Sequence, residues 1–337
     1  MHVDEQKRTI LIPWVEKFRP KTLSDVVSQE SLVSAMNQFL QTQTLPHLLF
    51  YGPPGTGKTS LILALAKDFY GPKMFKERVL ELNASDERGI NTIREKVKRF
   101  AQQSIAPPPQ NYNYPCPPFK IIVLDEADSL TQDAQSALRR VIEIHTKITR
   151  FCLVCNYVSK IIDPIASRCA KFRFTPLPSD VGIERLRLIC QNEGVQCGEE
   201  ELAHIQSISH GDLRKSITLL QSAQRLFHDN ITVNAIDDIA GIVPHRIIDS
   251  LIAACTSVSY DNLVSTLEII RREGFSARQI IEQFAEELVI SPEFSDIQKA
   301  QISYEVAKFE KNLMDGANEE LQMKAFFSLV LLSCQTG

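Results

Sequence analysis

The chain has one tryptophan, Trp14, in 337 residues, and no uninterrupted apolar run of about 18 residues. Without such a run no membrane span is expected. The first residues, Met-His-Val-Asp-Glu-Gln-Lys-Arg, hold no apolar signal core, so export is not expected either. A positive excess is also missing. The formal net charge is −4, so any nucleic-acid contact has to come from a local basic surface rather than from the field of the whole protein. No internal repeat stands out at a fixed period. Cysteine is present, eight in all, but without an export signal it reads as reduced thiol in a cytosolic or nuclear protein. Cys152 and Cys155 form a C-x-x-C inside the apolar run Phe151–Cys155. No second ligand pair stands at zinc spacing, so the run reads as a packed strand.

What is present is organised around residues 48–60. The segment Gly52-x-x-x-x-Gly57-Lys58-Thr59 is a complete P-loop. The apolar run Leu48–Tyr51 precedes it, and an apolar helical pattern through Leu61, Leu63, Ala64, Leu65 and Ala66 follows to about residue 70. Glycines let backbone N–H groups close around phosphate oxygens, and the helix N-terminus adds a positive dipole. Gly52, Pro53, Pro54, Gly55, Thr56, Gly57, Lys58, Thr59 and Ser60 are therefore candidate phosphate-binding residues. Lys58 can reach the β- and γ-phosphates, and the Thr59 hydroxyl can ligate Mg²⁺.

At this length the chain has room for two or three domains. Residues 10–20 are too short and too punctuated by proline for a long helix, and Trp14 is expected to anchor them against a core. Residues 23–45 read as a helix capped by Ser24 or Ser28, with Leu32, Ala35, Met36, Phe39 and Leu40 on one face. Residues 78–83 alternate like a strand, and residues 90–103 form a basic helix with Arg94, Lys96, Lys98 and Arg99. Six prolines in the thirteen residues 106–118 exclude a helix or central strand there. That segment reads as an exposed, partly extended loop, either an inert insertion or a site for a partner that reads polyproline. Further strands are expected at 119–125, 149–156 and 170–174, with an amphipathic helix carrying Ala134, Leu138, Val141 and Ile142. Alternating strands and helices argue for a parallel α/β sheet. Beyond Pro176 and Pro178 the strands stop. Short helices broken at Gly194, Gly198 and Gly211 follow, and then a second all-helical region from about Gly241.

The chemistry clusters at strand ends. Asp125 and Glu126 close an apolar strand at the edge that faces a triphosphate in a P-loop sheet. Asp125 can hold Mg²⁺ through its water shell, and Glu126 can orient and polarise an attacking water. An acidic helix N-terminus is the plainer alternative. Asn156 ends another apolar strand at the same edge, where an amide can hold the water or the γ-phosphate. Arg168, in Ser167-Arg168-Cys169, can stabilise transition-state charge on its own nucleotide or a neighbour's. Arg214 opens a helix in Gly211-Asp-Leu-Arg214 and can report nucleotide state, or simply make a surface salt bridge.

In this order, together with Trp14-Val-Glu-Lys-Phe-Arg-Pro20 and Leu82-Asn-Ala-Ser-Asp-Glu-Arg-Gly89, these elements resemble the small subunits of replication factor C, the AAA+ clamp loader. The similarity covers nearly the whole chain. Pro-Cys-Pro-Pro-Phe-Lys before the acidic strand and Asp315-Gly-Ala-Asn-Glu-Glu320 are most similar to the branch numbered four in animals and two in budding yeast. Phe18 stands where the family usually has tyrosine, and residues 109–114 make an unusual loop.

The resemblance implies an AAA+ RecA-like parallel sheet core at 1–175, a helical lid at 176–238 and a C-terminal all-α collar for oligomerisation at 239–337. It implies ATP and Mg²⁺ as cofactors. Val15 and Val27 would line the adenine pocket with Arg19 near it, and Asp125 would serve Mg²⁺. Glu126 would be the catalytic base, Asn156 sensor one and Arg214 sensor two. Arg168 would be an arginine finger acting in trans. Arg88 and Arg94 would track the phosphate backbone of primer–template DNA, with a merely solvated basic face as the alternative for Lys96 and Lys98. The implied partners are the other subunits of a heteropentamer, the sliding clamp PCNA and primer–template DNA, in the nucleus. The apolar stripes Ile247, Ile248, Leu251, Ile252 and Phe326, Phe327, Val330, Leu331 are expected to pack against partner helices or inside their own domain. Two rivals remain on residues alone. One is another AAA+ DNA machine, a helicase loader or Holliday-junction motor. The other is a structural nucleotide-binding subunit that never turns over.

Overall fold

Three apolar runs and two alternating segments assemble into one parallel sheet: β1 (Leu48–Tyr51), β2 (Val79–Asn83), β3 (Lys120–Asp125), β4 (Thr149–Cys155) and β5 (Ala170–Arg173), in the order β2-β3-β4-β1-β5. The computed structural model describes residues 12–26, 29–85, 90–228, 230–257 and 259–335, and for residues 90–94 the backbone alone. β3 and β4 are buried at nearly every position, as parallel strands covered on both faces require. Cys152 packs on one face with Phe50 and Val123, and Cys155 on the other with Leu49 and Leu124. The two thiols therefore point apart as core side chains. The register pairs Tyr51 with Cys155 and Asn83 with Asp125, so the carboxyl ends of four strands meet at one edge.

Around the sheet lie α1 (Trp14–Lys17), α2 (Glu30–Thr42), α3 (Lys58–Arg78), α4 (Ile90–Gln102), α5 (Gln132–His145) and α6 (Asp163–Ala166). The helix expected over 23–45 is instead a single 3-10 turn at Leu23–Asp25 followed by α2. The Asp25 carboxylate accepts the N–H groups of Lys21 and Thr22 at 3.1 and 3.0 Å and closes that turn locally. Ser24 lies within the turn, and Ser28 lies outside the described residues. α2 has no side-chain cap and follows Gln29 in the left-handed region at φ 66°. Its expected inner face holds, with Leu32 and Met36 buried.

α3 breaks at Gly71 (φ 59°, ψ 176°) and resumes through Pro72 to Arg78. Proline has no N–H to donate, so a break there strands helix carbonyls. The proline-rich loop supplies the missing donors. Tyr112 Oη donates to the Tyr70 carbonyl at 2.7 Å, and Cys116 N donates to the Phe69 carbonyl at 2.9 Å. A third tie runs from Arg78 Nη2 to the Ala106 carbonyl at 2.6 Å. The loop is largely exposed, as expected, but it is a structural part of α3 rather than an inert insertion.

After the sheet come α7 (Ser179–Glu193), α8 (Glu199–Ser209) and α9 (Leu213–Phe227). Trp14 is buried, and its backbone N–H donates to Gln221 Oε1 of α9 at 3.1 Å. The chain divides into two compact units after Ile231. The second holds α10 (Val233–Ala240), α11 (His245–Thr256), α12 (Tyr260–Glu273), α13 (Ala277–Ile290), α14 (Asp296–Met314) and α15 (Glu319–Gln335). Its core is centred on Phe284, whose ring meets those of Phe326 and Phe327 edge-on at 6.0 and 5.0 Å. All eight residues of the two apolar stripes are buried in this core, so they serve internal packing and not a free face.

Candidate nucleotide site

The site begins where β1 ends. Gly52 takes φ 145°, and a Cβ there would lie 2.3 Å from the Phe174 carbonyl oxygen, so only glycine lets the loop leave the sheet this way. Gly55, at φ 68°, faces Asp212, whose Oδ1 would lie 1.8 Å from an added Cβ. That carboxylate caps α9, accepting the N–H groups of Arg214 and Lys215 at 2.9 and 3.1 Å. The P-loop and the helix that carries Arg214 are thus fitted to each other.

A cavity of about 290 Å³ opens at the carboxyl edge of the sheet. Lys58 sits at its base, only 7% exposed. Its Nζ donates to the carbonyls of Gly52 and Pro53 at 2.8 and 2.7 Å and to Asn156 Oδ1 at 3.0 Å. Burial lowers the Lys58 pKa, and the nearby Asp125 carboxylate counters that shift. Thr59 Oγ1 donates to Asp125 Oδ2 at 2.7 Å. Asp125 Oδ1 accepts the N–H of Glu126 at 2.9 Å. Glu126 lines the cavity from an exposed position in the left-handed region, φ 52°. Strain of this kind clusters at functional sites, although it also occurs at helix ends such as Gln29.

Most of the expected site residues meet here. Val15, Arg19, Pro54, Gly55, Thr56, Gly57, Lys58, Thr59, Ser60, Asp125, Glu126, Asn156 and Arg214 all line the cavity. Gly52 and Pro53 stand behind it and present their carbonyls to Lys58. Val27 and Arg88 lie outside the described residues, and Arg94 is placed by its backbone within α4. Arg168 does not line this cavity. Its guanidinium is held on the outer surface by Glu143 at 2.7 Å and by the Pro164 carbonyl at 2.5 Å.

Several contributors escaped the reading of the sequence. Asp128 Oδ2 accepts the N–H groups of Asn156 and Tyr157, both at 3.2 Å, and so fixes the turn that carries Asn156. Arg185 lines the cavity and donates to the Phe18 carbonyl at 2.8 Å. Asn83 lines it from the end of β2. Asp128 lies two residues beyond Glu126, and Asn83 stands inside the stretch Leu82–Gly89. Arg185 carried no signal, because a lone arginine in an amphipathic helix is ordinarily a surface residue.

Comparison with known proteins gives this geometry a family. Residues 48–177 match the ATPase family associated with various cellular activities (AAA). Residues 184–225 match the RCF1/5-like AAA+ ATPase lid domain, and residues 243–328 the replication factor C C-terminal domain. The chain is 49% identical to replication factor C subunit 4 of Homo sapiens over 328 residues, covering 97% of this chain and 90% of that one. The chain belongs to the replication factor C small-subunit family. Replication factor C subunit 2 of Saccharomyces cerevisiae is 48% identical over 92% of this chain and 90% of its own length. Among solved structures, the Thermotoga maritima RuvB Holliday junction branch migration motor aligns with a TM-score of 0.52 at 17% identity, over 69% of this chain and 78% of that one. At that identity the likeness to RuvB is one of fold. Replication factor C membership makes the chain an AAA+ ATP hydrolase.

Proposed function

We propose that this chain is an ATPase subunit of a heteropentameric clamp loader, which opens the sliding clamp PCNA and places it on primer–template DNA in the nucleus. The observation that carries the reading is the convergence of Lys58, Thr59, Asp125, Glu126 and Asn156 on one cavity, in a chain of this family. Intact Lys58, Thr59, Asp125 and Glu126 argue against a subunit that never turns over. Val15 and Arg19 would border the base and ribose, and residues 54–60 would close on the phosphates. Lys58 exchanges backbone carbonyls for phosphate oxygens. Glu126 orients the attacking water and takes its developing proton, while Asn156 holds the γ-phosphate side of the cavity. Arg214, on the helix capped by Asp212, ties the lid to the nucleotide.

The donor set fits Mg²⁺. A hydroxyl and a carboxylate lie side by side at 2.7 Å, hard oxygens of the kind that bind this ion with substrate phosphates completing the shell. Thr59 and Asp125 would hold it, and its contribution is to neutralise charge on the β- and γ-phosphates.

Arg168, turned away from its own cavity, is assigned as an arginine finger for ATP held by the neighbouring subunit. Arg88 and Arg94 are assigned to DNA phosphates, with affinity that falls as salt rises. The collar that joins the subunits is assigned to the C-terminal unit, which begins at Thr232 and keeps α10 whole, whereas a limit at 238/239 would cut that helix. The match of residues 243–328 to the replication factor C C-terminal domain supports that role. No single helix among the described residues is long and apolar enough to cross a membrane.

The test is steady-state ATP hydrolysis by this chain alone, and then co-assembled with its sister subunits, with and without primed DNA and clamp. Near-zero activity alone and strong stimulation by DNA plus clamp are expected. Equal activity alone, unmoved by either, would overturn the partner half of the reading.

A further inference from the structure

Arg168 sits in the short connection between α6 and β5, where its backbone N–H bonds to the Ile165 carbonyl at 3.0 Å. Its side chain is long and 38% exposed, a setting in which an arginine ordinarily samples many rotamers. Here it does not. Glu143 Oε1, from the last turn of α5, pairs with Nη2 at 2.7 Å, and the Pro164 carbonyl accepts from Nη1 at 2.5 Å. The same Glu143 oxygen accepts from Arg139 Nε, one turn earlier on α5, at 3.0 Å. That hydrogen bond, together with the charge of Arg168, holds the Glu143 carboxyl below the usual carboxylate range, so it is an anion at neutral pH.

The helix that carries Glu143 is itself fastened to the segment that carries Arg168. Buried Gln135 of α5 donates to the Leu130 and Lys160 carbonyls at 3.1 and 2.9 Å and accepts the Ile162 N–H at 2.9 Å. Ile162 directly precedes α6. Carboxylate and guanidinium therefore belong to one braced assembly. Exposed ion pairs contribute little to stability, so stability alone gives this arrangement little purpose. Aiming a cation outward, away from the cavity of its own chain, gives it one.

We infer that Glu143 is a positioning residue for Arg168: it fixes the direction in which the guanidinium is presented to the nucleotide of the neighbouring subunit. This rests on the assignment of Arg168 as a finger acting in trans. A pre-aimed guanidinium acts on transition-state charge without first paying for its own ordering, so the effect belongs in kcat and not in ATP binding.

The experiment uses the assembled loader containing the full chain, with primed DNA and clamp. It compares Glu143→Ala, Glu143→Gln, Arg168→Ala and the double variant Glu143→Ala/Arg168→Ala. Arg168→Ala is expected to cut turnover at the neighbouring site by about 10³-fold. Glu143→Ala is expected to cut it by about tenfold with KM for ATP unchanged, and Glu143→Gln by less, since its amide oxygen still accepts a hydrogen bond. The double variant should be no slower than Arg168→Ala alone, because the two residues act in series. Nucleotide affinity at this chain's own site should not move. Unchanged or faster turnover in Glu143→Ala, beside a slow Arg168→Ala, overturns the positioning role and leaves the finger assignment standing. Full turnover in Arg168→Ala overturns the finger assignment itself, and the positioning role with it.

Discussion

Two lysines are buried at opposite ends of the same sheet, and they do different work. Lys58 lies at the carboxyl edge and Lys120 opens β3 at the amino edge, where it is 1% exposed. Each is satisfied largely by carbonyl oxygens. Lys58 bonds to those of Gly52 and Pro53, while Lys120 Nζ bonds to those of Phe100 and Gln103, the latter at 2.6 Å. Burial lowers the pKa of both. The surroundings separate them. Asp125 opposes the shift at Lys58, and the cavity leaves its outer side accessible to a phosphate. At Lys120 the neighbouring charge is Arg78, which lowers the pKa further, and the ring of Phe100 covers the ammonium at 4.8 Å. Lys120 caps the negative end of α4 and is sealed there. A buried cation is therefore not a functional mark in itself. What makes one is an opening and an acid on the same side.

The largest effect expected from this contrast is kinetic. Lys58→Ala should lower ATP hydrolysis in the assembled loader by at least about a hundredfold, with the melting temperature nearly unchanged. Steady-state turnover beside a thermal melt checks both halves. A collapse of the fold would erase the distinction between the two lysines.

The next effect is structural. Lys120→Ala should destabilise the first unit by about 3 kcal/mol, because it strands two carbonyls and leaves a cavity. For a unit of this size that corresponds to a fall in melting temperature of roughly 6–12 °C. Lys120→Met, which refills the space, should recover part of it. Nucleotide affinity in the folded fraction should be unchanged. A selective loss of ATP binding would mean that the amino edge has a function of its own.

The same contrast explains what could be read from the sequence. The carboxyl edge was legible because its residues sit in short motifs whose spacing follows from phosphate chemistry: Gly52 to Thr59 in one loop, Asp125 and Glu126 at one strand end. The strand pattern was legible because continuous apolar runs mark β3 and β4. The amino edge was not, since Arg78, Lys120 and Arg150 are partnered by backbone carbonyls, and carbonyls carry no sequence identity. The start of α2 was misplaced for a related reason, as the Asp25 carboxylate made a local turn with Lys21 and Thr22 that a count of apolar spacing does not register. The apolar stripes of α11 and α15 could not be assigned between internal and external packing, because a helix face looks the same in either role.

A third way to sharpen the comparison uses acid. His47 lies at the amino edge, where its Nδ1 accepts the Phe151 N–H at 3.1 Å. Burial, aided by the charge of Arg150, pushes its pKa down from 6.5 to about 4. The unfolded chain takes up this proton near pH 6.5, and the folded chain only near 4. The stabilisation from neutral His47 is thus complete above pH 6.5 and is lost as pH falls toward 4. About 2 kcal/mol is expected to disappear across that window, allowing for partial solvation. His47→Gln should flatten this part of a stability–pH curve obtained by denaturant titration. An unaltered slope would move the acid sensitivity elsewhere.

The smallest effect tests whether the proline-rich loop belongs to the fold at all. At the break in α3 the Tyr70 carbonyl has lost its helical partner, and Tyr112 Oη supplies a hydrogen bond at 2.7 Å. The same oxygen accepts the Lys73 N–H at 3.3 Å, on the far side of Pro72. One hydroxyl thus bridges both sides of the discontinuity. Tyr112→Phe keeps the ring against Tyr114, whose centroid lies 5.2 Å away, and removes only these two bonds. The expected cost is about 1 kcal/mol, a fall of roughly 2–4 °C in melting temperature. Hydrogen exchange at Lys73 should quicken while exchange in β3 and β4 stays slow. If the loop were an inert insertion, neither measurement would change, and α3 would have to satisfy its broken turn with water alone.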